Sequence, residues 1–120
     1  MPILALVSDL LFESKILATA QQLGIPVRVL RNPEGMPALL TQASGLIVDL
    51  NLPTGDALQV VRDAKAARPG LPIVAFLSHV QTELRREAQS AGADEVLPRS
   101  KFAAELPRIL QGLHASPPPP

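Results

Sequence analysis

Short apolar runs alternate along the chain with stretches in which apolar residues recur every three or four positions. Ile3 to Val7, Leu46 to Val48 leading into Asp49, and Pro72 to Leu77 show no polar alternation. Such runs read as strands of a parallel sheet buried on both faces. Val27-Arg-Val-Leu30 alternates, and Glu95-Val-Leu97 is short and charged at its start, so both read as edge strands. Four sets between and after these runs fall at helical spacing: Phe12, Ile16, Ala20 and Leu23; Ala57, Val60, Val61 and Ala64; Val80, Leu84, Ala88 and Ala91; and Phe102, Leu106, Ile109, Leu110 and Leu113. Gly24 and Gly92 close two of these helices, Pro69-Gly70 follows another, and Ser100 is placed to cap the last. Pro37 fits the first turn of a short helix, Pro37 to Gln42, where its missing N–H is not needed. Pro107 falls in the interior of the last helix. There it removes a hydrogen bond and clashes with the preceding turn at a cost of about 3 kcal/mol, so a kink or an irregular start is expected.

The resulting order, βαβαβαβαβα, implies a parallel sheet with right-handed crossovers and helices on both faces. With the first, third and fourth strands central and the charged second and fifth at the edges, the α/β fold is a doubly wound five-stranded sheet of order 2-1-3-4-5, the flavodoxin-like arrangement. The domain covers residues 1–114. Residues 115–120, ending in the proline run after Ser116, form a tail that reads as the start of an extended linker.

Composition narrows the function. The 120 residues suit one domain, and a hydrophobic share of 47% makes it globular. Aromatics are only 2%, with no Trp or Tyr, so aliphatic packing carries the core. Eleven basic and 11 acidic residues cancel, which argues against nucleic acid or an anionic membrane as the partner. The absence of cysteine excludes a disulfide framework, a thiol nucleophile and a thiolate metal site. Ile3 to Val7 is too short for a signal-peptide core and no stretch could span a membrane, so a cytoplasmic location is expected.

In an open α/β sheet the ligand site lies at the carboxyl ends of the strands. That rule brings together Ser8-Asp9, Asp49-Leu-Asn51, Leu77-Ser78-His79 and Pro98-Arg99-Ser100-Lys101. Two neighbouring carboxylates suit a hard divalent cation such as Mg²⁺, and a nearby cationic side chain would balance a phosphoryl group. Each residue also has a plainer role. Asp49 caps the turn after its strand, Asp9 caps the first helix, and Ser78 caps the helix starting near Gln81. Arg85, Arg86 and Glu87 form a solvated helix face. His79 and His114 have no orienting carboxylate assigned to them.

These residues resemble the receiver domain of two-component response regulators, over about Ile3 to Leu113. The strongest pieces are Leu-Ile-Val-Asp49-Leu-Asn-Leu-Pro53 and Ala91-Gly-Ala93 before the fifth strand. The resemblance implies a CheY-like fold, with Asp49 as phosphoacceptor from a histidine kinase. It implies Mg²⁺ held by Asp9, Asp49 and the backbone carbonyl of Asn51. Arg99 takes the place of the family's lysine as counter-charge; Arg is longer and planar, so the exchange is not neutral at a tight site.

The chain departs from the pattern at several positions. Ser8 replaces the first member of the acidic pair, which weakens the metal site. Leu77 stands where the family has a Thr or Ser, and Ser78, one residue on, is the candidate switch hydroxyl. Val96 replaces the aromatic switch residue, and Ser100 replaces the family's cis-proline. The expectation is therefore a pseudo-receiver, not an enzyme, acting in signal transduction through a protein partner, either a histidine kinase or an output domain. Homodimerisation is left open. The alternative is a working Mg²⁺-dependent phosphoacceptor. A small-molecule binder of this fold is a third reading, disfavoured because Ser8-Asp-Leu-Leu-Phe12 is neither Gly-rich nor Ser/Thr-rich.

Overall fold

Five strands, β1 (Ile3–Leu6), β2 (Val27–Leu30), β3 (Gly45–Asp49), β4 (Ile73–Leu77) and β5 (Glu95–Pro98), form one parallel sheet of order β2-β1-β3-β4-β5 in the computed structural model, which describes residues 1–53, 56–78 and 82–114. The helices between and after them are α1 (Leu10–Leu23), α2 (Met36–Leu40), α3 (Ala57–Ala67), α4 (Thr82–Ala91), α5 (Arg99–Ala104) and α6 (Leu106–His114). The strand order is the one expected from the sequence, with the charged β2 and β5 at the edges.

Side chains alternate across the strands, so the sheet divides the core in two. Leu4, Leu6, Leu46, Val48, Ile73, Ala75, Leu77 and Val96 pack with α2, α3 and α4. Ile3, Ala5, Ile47, Val74, Phe76 and Leu97 pack with α1, α5 and α6. Asp49 follows Ile47 by two residues and so belongs to the second face. The register pairs it with Phe76 on β4. A slip of one residue would send it to the other face.

α1 ends where the sequence places its glycine signal, whereas α2 stops at Leu40, two residues short of the expected Gln42. Gly24 adopts φ 70°, and its N–H bonds back to the carbonyls of Ala20 and Gln21. Gly24 therefore takes the left-handed conformation that a side chain would oppose. Pro37 lies in the first turn of α2.

The last helical stretch differs from the simple pattern. It is interrupted at Glu105, with φ −104° and ψ 14°, and Pro107 falls in the first turn of α6. The expected irregularity is thus a break that moves Pro107 out of a helix interior. Ser100 is not the cap of this stretch. Pro98 occupies the capping position, and Ser100 lies inside the first turn of α5. β5 runs one residue beyond Leu97, which a proline permits at the end of an edge strand. The proline tail lies outside the described residues.

Candidate functional site

Asp49 ends β3 and is only 3% exposed. One carboxylate oxygen, Oδ1, accepts the backbone N–H of Asn51 at 2.8 Å, so Asp49 closes the turn that follows its strand. Burial pushes its carboxyl above the ordinary carboxylate range. The Asn51 amide and the Arg99 cation oppose that shift, and the neighbouring Asp9 adds to it.

Asp9 caps α1 through Oδ1, which accepts the N–H groups of Leu11 at 2.9 Å and Phe12 at 3.2 Å. Its other oxygen, Oδ2, lies 3.3 Å from Arg99 Nη1. The capping role read from the sequence is therefore real, and the same carboxylate also pairs with Arg99.

Arg99 begins α5, directly after β5. Its guanidinium carbon stands 4.9 Å from the centre of the Phe12 ring and 6.0 Å from that of Phe76. Phe76 and Phe102 lie 4.6 Å apart, Phe12 and Phe76 4.8 Å, and Phe12 and Phe102 5.6 Å, all tilted. The chain has three phenylalanines and no Trp or Tyr, and all three meet in one cluster whose Phe12 and Phe76 rings lie under Arg99. Such contacts hold a cation through the negative face of the ring. Arg99 Nε is buried and has no hydrogen-bond partner among the described residues.

The Asn51 side chain ties two loops together, because its Oδ1 accepts the N–H of Ser78 at 2.6 Å. Ser78 thus enters the site through its backbone, and its residue is exposed. Leu77 is 2% exposed and lies in the same apolar cluster as Val96. The β4 loop has therefore not shifted register to bring Ser78 into the place of Leu77.

His79 and the proposed helix cap near Gln81 lie outside the described residues. His114 ends α6, whose Leu113 packs at Gly45, at the opposite end of β3 from Asp49. Arg85, Arg86 and Glu87 are exposed on α4, as a solvated face requires.

Sequence reasoning brought Asp9, Asp49, Asn51, Ser78 and Arg99 to one end of the sheet, and the structure places them there. It missed the aromatic floor and the link from Asn51 to the Ser78 amide. The only available signal for the first was that each Phe lies in an element packed on one face.

A divalent cation fits this set poorly. Ser8 supplies no carboxylate, and both oxygens of Asp9 are engaged, one by the α1 amides and one by Arg99. Among the described residues no three His, Cys, Asp or Glu side chains gather as a metal-binding group.

No family model and no curated protein matches the sequence. Solved structures do. A CheY-like response regulator receiver domain protein from Methanospirillum hungatei JF-1 is 18% identical, with a TM-score of 0.81, covering 96% of this chain and 94% of that one. A response regulator from Burkholderia pseudomallei, solved with a phosphorylated aspartic acid, a calcium ion and citrate, is 20% identical with a TM-score of 0.79; the match covers 95% of this chain and 66% of that one. The receiver domain of a sensor histidine kinase from Pseudomonas aeruginosa PAO1, with magnesium coordinated in its active-site cleft, is 24% identical with a TM-score of 0.77, covering 92% and 93%. The fold of this chain is the CheY-like receiver fold. No helix among the described residues is long and apolar enough to cross a membrane.

Proposed function

We propose that this domain is a pseudo-receiver, a signal-transduction module that works through protein–protein contacts rather than as an enzyme. The observation that carries the reading is the pair Leu77 and Val96. A receiver that responds to phosphorylation needs a hydroxyl at the first position to meet the phosphoryl group and an aromatic ring at the second to move. Here both are aliphatic side chains packed in the core. The partner is a histidine kinase or an output domain, in the cytoplasm. Leu10 and Leu11, 59% and 85% exposed beside Asp9, support a protein contact at the rim of the pocket. A second copy of the chain is an alternative occupant.

The second reading is a working phosphoacceptor, favoured by the position of Asp49 at the carboxyl end of β3 with a cation nearby. Asp49 would be the nucleophile and Arg99 would balance the developing charge. Mg²⁺ would have only Asp9, Asp49 and the Asn51 carbonyl to draw on, a weakened set.

Intact-mass measurement after incubation with phosphoramidate and Mg²⁺ separates the two. No added phosphoryl group on the folded protein is expected. A Mg²⁺-dependent adduct that Asp49→Ala abolishes would establish the phosphoacceptor and end the pseudo-receiver reading.

A further inference from the structure

We infer that the Arg99 guanidinium is the resident cation of the Asp9–Asp49 pocket and that it keeps divalent metal out. Three observations meet here. First, Arg99 Nη1 stands 3.3 Å from Asp9 Oδ2, while Asp9 Oδ1 holds the first amides of α1. A metal ion recruiting Asp9 must therefore take the oxygen facing Arg99 or uncap the helix.

Second, the guanidinium does not rest on the ion pair alone. It lies over the Phe12 ring at 4.9 Å, and Phe12 is wedged against Phe76 and Phe102. A lysine on its flexible stem could swing aside for a metal; a planar guanidinium held by a carboxylate and seated on a packed ring has less freedom to do so.

Third, charge favours one cation over two. Among the described residues Asp9 and Asp49 face one guanidinium, that of Arg99, and Ser8 offers no further carboxylate. Adding a divalent ion beside Arg99 would reverse the sign of the pocket and set two cations against each other at short range. A residue of the chain therefore already balances half of the pocket's carboxylate charge.

This concerns the pocket's cation and rests on Arg99 and Asp9 rather than on Leu77 and Val96; a Mg²⁺-dependent phosphoryl adduct would count against both readings, whereas metal binding without an adduct would overturn this one alone. Phosphoramidate labelling tests that reading, and metal binding tests this one. The probe is Mn²⁺ alone, followed by paramagnetic broadening of the Leu50 and Asn51 backbone amides in ¹⁵N-labelled protein, with calorimetric titration of Mg²⁺ alongside. The full chain is expected to show no saturable broadening at low millimolar Mn²⁺, and Arg99→Ala is expected to acquire it, with an apparent affinity about tenfold or more tighter. Arg99→Gln, neutral and closer in shape, is the second variant should Arg99→Ala lose its dispersed spectrum. Saturable binding by the unaltered chain that removal of Arg99 leaves unchanged would overturn the inference. So would absence of binding in the folded variants as well, because Arg99 would then not be what excludes the metal.

Discussion

Asp49 holds its carboxyl where almost no water reaches it, and that burial raises its pKa. A carboxyl raised in the folded state binds its proton more firmly than the unfolded chain does. The stability this contributes is fully present below the ordinary carboxylate range, near pH ~4, and is lost as pH rises through the raised value. Asp49→Asn can still accept the Asn51 amide and has no charge to lose. In urea denaturation across acid to neutral pH, the variant is expected to gain on the unaltered protein as pH rises through that window. Below it the gap should stay constant. A gap unchanged over the whole range would mean that burial does not govern this carboxyl.

Asp9 separates two roles in one side chain. Removing an N-cap costs about 1 kcal/mol. The ion pair with Arg99 is about one-third exposed on both sides, hence screened, and contributes roughly 0.2–1 kcal/mol. Asp9→Ala should lose both and Asp9→Asn only the second, so the denaturation midpoint of Asp9→Asn should lie nearer to that of the parent. Both roles come from neighbours along the chain and across it. The capping was legible from Asp9 standing before an apolar helical pattern. Arg99 was expected as a counter-charge of the pocket, but that it pairs with Asp9 in particular was not legible, because Arg99 is far away in sequence.

At the scale of elements, the break between α5 and α6 decides what Pro107 costs. A proline inside a helix costs about 3 kcal/mol, but in a first turn it removes no hydrogen bond. Pro107→Ala is therefore expected to change stability by less than about 1 kcal/mol, because the penalty it would relieve is absent. A gain near the full interior value, read from urea midpoints, would mean that the helix is strained rather than broken.

β3 and α6 meet at Gly45, where an added Cβ would lie 2.8 Å from Leu113 Cδ2 and 2.9 Å from Leu113 Cβ. Gly45→Ala should cost about 1–3 kcal/mol as an overpacked contact. Because Leu113 Cβ belongs to the crowding, Leu113→Ala should relieve only part of it, seen as coupling in a double-mutant cycle. Additive effects would show that the two elements do not press on each other. Periodicity located β3 and the helices readily, since it is a local signal. It misplaced the cap of α5 at Ser100, because Pro98 continues the β5 ladder opposite Leu77 before the helix turns away.

For the whole molecule, both apolar clusters are built from alternate residues of the same strands, so neither can lose its packing without exposing the other. One cooperative transition is expected. With no Trp or Tyr, it is best followed by far-UV circular dichroism and by methyl NMR signals, such as those of Leu77 on one face and Leu97 on the other. Non-coincident midpoints would show that the two sides unfold separately.

The sequence alone determined the order of elements, the strand order, the loops that meet above the sheet, and the presence of Asp9, Asp49, Asn51, Ser78 and Arg99 among them. These follow from hydrophobic period, glycine and proline punctuation and the handedness of crossovers, all of which act along the chain or on whole elements. Tertiary structure alone decided that Phe12, Phe76 and Phe102 meet, that Arg99 lies over the Phe12 ring against Asp9, that Asn51 reaches the Ser78 amide, and that Asp49 is starved of water. Each of these depends on side chains brought together from distant elements, and on which rotamers the packed core leaves open, which no pattern along one strand or helix contains.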